Sequence, residues 1–97
     1  MEEKMNTIII KSTDSVAVVI ESLSAGDVAL VKVNGEVRKI NVVENISIYH
    51  KIALFDIAEG QEVYKYGESI GRAVVSIKAG QHVHSHNLVS IRETIAK

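Results

Sequence analysis

Short runs of aliphatic and β-branched residues, broken every few positions by glycine or by Asn and Asp, set the rhythm of this chain. Runs of four to eight such residues bounded by turn chemistry read as strands. The pattern predicts strands over residues 7–11, 16–20, 28–33, 37–43, 51–57, 62–65 and 70–77. Asn34-Gly35 is the clearest hairpin signal, because the pair supplies both positive φ angles of a type I′ turn. Turn chemistry is also expected over residues 12–15, 22–27 and 66–69. Residues 45–50 fit a loop or one helical turn. An apolar segment, then Ala-Gly or Glu-Gly, then a short strand recurs at residues 23–28, 57–63 and 77–83. These repeats read as corners in which a left-handed glycine turns the chain sharply.

Short strands at this spacing with glycine turns predict an all-β barrel or sandwich with little helix. The 97 residues make one domain (residues 1–97), with a charged, frayed start over 1–6 and a terminal tail or short helix over 92–97. Composition agrees: 46% of residues are hydrophobic, but aromatics are limited to three Tyr and one Phe, so the core is Val, Ile, Leu and Ala. A formal net charge of −1 argues against nucleic acid or an anionic membrane as partner. No apolar run has the length of a membrane span, and the start lacks a signal-peptide layout. Without cysteine there is neither a disulfide framework nor a thiolate metal site, and a cytoplasmic setting is expected.

Candidate chemistry concentrates in Gly80-Gln81-His82-Val83-His84-Ser85-His86-Asn87-Leu88, which holds three of the four histidines at alternate positions. In an extended segment His82, His84 and His86 would line one face, with i to i+2 spacings of about 7 Å. Neutral imidazole is the commonest metal ligand among side chains and also titrates near neutral pH. A straight strand holds the three rings too far apart for one ion, so a bend is required. Asn87 suits a structural cap after the histidines, and Asp56 and Glu68 read as solvated.

Three stretches together resemble one known family. They are His50-Lys51-Ile52-Ala53-Leu54 with Asp56-Ile57, then Lys65-Tyr66-Gly67-Glu68 with Ile70-Gly71, then the histidine segment through Leu88. Their order and spacing, with Asp14-Ser15-Val16-Ala17-Val18 upstream, are similar to the N-terminal domain of altronate/galactarate dehydratases. The resemblance implies a SAF-type β-clip, a long bent hairpin folded over itself. It departs at Gln81, where the family often has an acidic residue.

The resemblance further implies a role for this chain as the small subunit of a sugar-acid dehydratase, inactive without a large catalytic subunit and able to self-associate when isolated. A natural small subunit is expected rather than a truncated enzyme. The implied reaction eliminates water from an acid such as altronate or galactarate, giving a 2-keto-3-deoxy acid, with a divalent metal, iron or else manganese, as cofactor. His82, His84 and His86 are then the metal candidates, with His84 and His86 as catalytic groups. His50, Lys51, Lys65 and Tyr66 are the candidates for holding the sugar acid. Two alternatives are a non-catalytic β-clip module for a carbohydrate or protein, and metal sequestration by the histidine-rich turn. Three aligned imidazoles serve no purpose in a plain binding module.

Overall fold

The computed structural model describes residues 5–9 and 13–90. Nine strands run through them: β1 Thr7–Ile8, β2 Val16–Val19, β3 Val28–Val33, β4 Glu36–Asn41, β5 Lys51–Ala53, β6 Glu62–Lys65, β7 Glu68–Ala73, β8 His82–Val83 and β9 Leu88–Ser90. No helix occurs among the described residues. The strands form a four-stranded sheet in the order β1-β2-β5-β8, the β3–β4 hairpin, and a three-stranded sheet β6-β7-β9, with every pairing antiparallel. The chain is all-β, as expected, and fits the SAF β-clip.

Two hairpins of the same build explain the shape. β3–β4 turns at Asn34-Gly35 (φ 52° and 82°) and β6–β7 at Tyr66-Gly67 (φ 55° and 81°). The second turn was legible only as a generic one, because Tyr is a poor residue for positive φ. Buried Asp14 offsets that cost by accepting both turn amides, Tyr66 N at 3.0 Å and Gly67 N at 2.7 Å. Beside it, Ser15 and Tyr64 exchange backbone and hydroxyl bonds.

Each hairpin is flanked by two corners, and the corners pair. Leu23 and Ile46 exchange both backbone bonds at 2.9 and 2.8 Å, and Ile57 and Ile77 do the same at 2.7 and 2.8 Å. All four side chains are buried. Three residues after each anchor the backbone takes a positive φ: Gly26 (96°), Tyr49 (69°), Gly60 (86°) and Gly80 (90°). The next residue then closes the turn by donating its N–H to a carbonyl three back, as in Asp27 to Ser24 and His50 to Ser47. Residues 45–50 are therefore a fourth corner rather than a helical turn; without a glycine they do not announce it.

Strands β2 and β5 are buried on both faces for a definite reason. Val16 and Ala53, paired across β2 and β5, join a cluster with Ile57, Val63, Ile77 and Val83. Their neighbours Ala17 and Ile52, also paired, join Val31, Ile40, Val42 and Ile46 in a second cluster. The central sheet thus separates two cores and serves both.

Several expected boundaries move. Strand 51–57 stops at Ala53 and strand 70–77 starts at Glu68 and stops at Ala73, because Ile57 and Ile77 are corner anchors. β4 ends at Asn41, after which Val42 and Val43 donate to Asp27 and Gly80 instead of a ladder. Asn6 is buried rather than frayed: its side chain donates to Val28 O and accepts from Leu30 N. Residues 1–4, the end of the first expected strand at 10–11 with the first turn residue 12, and the expected tail or helix at 92–97 lie outside the described residues.

The corners differ in how much room their glycines have. A Cβ on Gly80 would collide with the backbone carbonyl of Asn41, whereas one on Gly26 would meet nothing within 4 Å. Gly26→Ala should cost about 1–2 kcal/mol for the left-handed backbone alone, and Gly80→Ala clearly more, since a backbone carbonyl must move. Chemical denaturation of the two variants checks this; equal losses would contradict it.

Candidate functional site

Antiparallel pairing of β5 with β8 sets Lys51 opposite Val83 and Ile52 opposite His82. One step further out, that register brings His50 opposite His84. The rings respond accordingly: His50 and His84 stack with centroids 4.2 Å apart at 15°, and His50 and His82 stack at 5.0 Å. His82 and His84 stack at 5.6 Å, and His86 tilts against His82 at 5.1 Å and 43°. Four imidazoles, every histidine in the chain, form one row at the end of the central sheet.

The histidine segment reaches this arrangement by bending. β8 covers only His82–Val83, and the chain then turns through residues 84–87, so the expected extended strand is not what aligns the rings. Buried Asn87 makes the turn. Its Oδ1 accepts His84 N at 3.0 Å, its Nδ2 donates to His82 O at 2.8 Å, and its own N–H donates to His84 O at 3.1 Å. Asn87 therefore caps the turn, the structural role its position suggested. Without that bend His84 and His86 would continue away from His82 along a strand.

Within the row, His50, His82 and His84 offer ligand nitrogens that all lie within 4.8 Å of one another. Nδ1 of His50 and Nε2 of His82 are 2.8 Å apart. Nitrogens bound to one ion at about 2.0–2.1 Å lie roughly 3 Å from each other, so this pair is already near ligand spacing. Three imidazoles suit a transition-metal ion such as iron and leave coordination positions open. Because lone pairs lie in the ring planes, the stacked rings must fan apart about their side-chain torsions to converge on one ion. His86 lies outside this set of three, and His50, which the sequence suggested as a substrate contact, lies within it.

Electrostatics favours the neutral, ligand form of two of the three donors. Burial first, then the neighbouring His50, His86 and His84, lowers the pKa of His82 below the ordinary 6.5, with Glu44 opposing. Burial, His50, Lys51 and His86 lower that of His84 in the same sense. Glu44 also accepts the backbone N–H of His82 at 3.0 Å, fixing the start of β8. Nothing in the local sequence around Glu44 announces this contact, which depends on a partner 38 residues away.

The remaining candidates form a second group. Lys51 is half-buried, and burial together with the like charge of Lys65 lowers its pKa. Lys65 places its Nζ 5.1 Å from the centre of the Tyr66 ring, a cation–π contact. Lys51 links the groups, since its charge is felt at His84. Gln81 and Asp56 both cap corners, Asp56 doing so while exposed, as expected. Gln81 Oε1 accepts Lys78 N at 2.6 Å, and Asp56 Oδ1 accepts Ala79 N at 3.0 Å. Glu68 is exposed, as expected.

No helix among the described residues is long and apolar enough to cross a membrane. The family model for the altronate/galactarate dehydratase SAF domain matches residues 5–91. The chain is 42% identical over 77 residues to the (2R)-sulfolactate sulfo-lyase subunit alpha of Chromohalobacter salexigens, covering 77% of this chain and 82% of that one. It is 40% identical over 83 residues to the altronate dehydratase of Escherichia coli (strain K12), covering 86% of this chain. It spans only 16% of the length of that dehydratase. The alignment takes in the hairpins, the corners and the histidine row alike, and the chain belongs to the SAF-domain family of altronate/galactarate dehydratases.

Proposed function

We propose that this chain is the small subunit of a hydro-lyase of the altronate/galactarate type. It helps a separate large chain eliminate water from a sugar acid to give a 2-keto-3-deoxy acid. The observation that carries the reading is the row of imidazoles gathered by two strand ends and one asparagine-capped turn. Similarity along most of the length of a sulfo-lyase subunit supports a multi-chain lyase.

In this reading His50, His82 and His84 would hold a divalent metal, iron or else manganese. Such an ion supplies Lewis-acid stabilisation of charge developing on the substrate carboxylate and leaving hydroxyl. The protein's own groups do the rest. The half-buried ammonium of Lys51, with Lys65 nearby, attracts the anionic acid to the row and orients it. Tyr66 borders that approach. His86, outside the set of three, is the imidazole placed to exchange a proton with substrate, and His84 borders both sets. The large chain excludes water and completes the pocket.

Metal uptake tests the donor set directly. Titration calorimetry of the isolated chain with Fe²⁺ or Mn²⁺ under anaerobic conditions should give one ion per chain. His50→Ala or His82→Ala should weaken it by more than the roughly 10–100-fold that loss of outer support alone costs. Undiminished binding in both variants would remove the metal assignment.

The pH dependence has a definite sign. The fold lowers the pKa of His82 and His84, so these two rings take up protons only at more acid pH than an ordinary histidine, and metal uptake should be lost on that more acid side. Protein stability follows the same direction: it is fully present above the unfolded pKa and falls on acidification, because the unfolded chain binds protons more readily. A half-point for metal loss above pH 6.5 would contradict this.

Activity requires the pair of chains. The large polypeptide mixed with this one should dehydrate altronate or galactarate, with neither chain active alone. His86→Ala should lower kcat by about 10²–10⁴-fold while leaving metal content unchanged. Full turnover by the large chain alone would defeat the subunit reading and leave a binding module.

A further inference from the structure

The four corners of the chain share one backbone geometry, so they can be compared with one another. At the positive-φ position three of them carry glycine, and the fourth carries Tyr49 at φ 69°. L-residues with a bulky side chain are disfavoured there. Tyr66, in the β6–β7 turn, has a similar φ, but Asp14 binds its amide and Lys65 covers its ring. Among the described residues Tyr49 has no such compensation. Its N–H donates to Val19 O at 2.7 Å, as backbone any residue could supply, while its side chain is 70% exposed. Among the described residues its ring has no aromatic or cation–π neighbour.

The following residue differs as well. At the other three corners the side chain at this place folds back and accepts the amide three residues before it, through Asp27, Gln61 and Gln81. His50 occupies that place in the fourth corner and turns its ring to His82 instead. The corner that helps build the imidazole row has thus given up both its glycine and its cap. A strained, exposed residue that adds nothing to the fold of its own chain points to a role outside it.

We propose that Tyr49 is an anchor for the large catalytic polypeptide, inserted into a pocket on that chain where it closes over the imidazole row. This rests on the subunit reading above. The occupant follows from the relatives: a domain of this kind makes up 16% of one dehydratase, so most of that enzyme is other polypeptide that must meet the row to use it. Tyrosine is a suitable anchor, because it buries a large ring at low entropic cost and is enriched among residues that dominate interfaces. Ile48, 42% exposed, and Ile20, 36% exposed, flank it: Ile48 precedes it in the chain, and Ile20 follows the Val19 carbonyl that it binds. They supply an apolar surround that keeps water from the anchor.

The test is to replace Tyr49 with glycine and measure two quantities that a merely structural residue would move together. The melting temperature of the isolated Tyr49→Gly chain should rise by about 4–8 °C, as strain is relieved. Its affinity for the large polypeptide from the same source, read by calorimetry or surface plasmon resonance, should fall roughly tenfold or more. Tyr49→Asn, which also tolerates positive φ, should show the same affinity loss. Unchanged affinity in both variants, with the wild-type pair binding normally, would overturn the anchor and leave the subunit reading standing. Lost turnover at unchanged affinity would overturn it too, placing Tyr49 against substrate. A lower melting temperature for Tyr49→Gly would remove the premise of strain. Absence of binding by the wild-type chain would defeat both the anchor and the subunit reading.

Discussion

The reciprocal backbone bonds at two places, Leu23 with Ile46 and Ile57 with Ile77, hold everything else in position. Each pair ties one end of a hairpin to the other, so a chain of short strands closes on itself without long ladders. Left-handed residues let the chain leave each pair at a sharp angle. Side chains then satisfy the amides exposed at the bends: Asn45 accepts from Ala25, Ser22 from Ile48 and Asp56 from Ala79. Polar residues that look like solvated loop in the sequence are therefore structural, each set by the opposite member of its pair.

The imidazole row follows from this frame. His50 closes one corner and leads into β5; His82 leaves another corner and begins β8. Because β5 and β8 pair, the ends of two corners meet. Asn87 then folds the following residues back so that His84 and His86 join the row. Two of the four rings belong to corner geometry and two to a capped turn, so no single stretch of chain defines the site.

That division explains what the sequence could disclose. The β3–β4 hairpin and the strand Glu62–Lys65 were readable because Asn34-Gly35 and the turn residues that bound each short run act locally. Three corners were readable from glycine. The fourth was hidden by Tyr49, whose side chain contradicts its backbone. The histidine segment pointed to a site, but alternation suggested a straight strand, and only Asn87 bonding across residues 82–84 shows the bend. The part played by His50 with His82 spans 32 residues, and Glu44 reaches His82 across 38. Such contacts depend on which strands pair, which local pattern does not encode. The family resemblance singled out His50, though as a substrate contact, and gave no signal for Glu44.

Because β2 and β5 turn alternate residues into separate cores, neither half of the molecule can melt while the other stays intact; loosening Val63 or Ile77 on one side slackens Ala53, and with it Ile52 on the other. The domain should behave as a single cooperative unit despite its two apolar clusters. The imidazole end is therefore carried by strands whose stability draws on both apolar clusters at once.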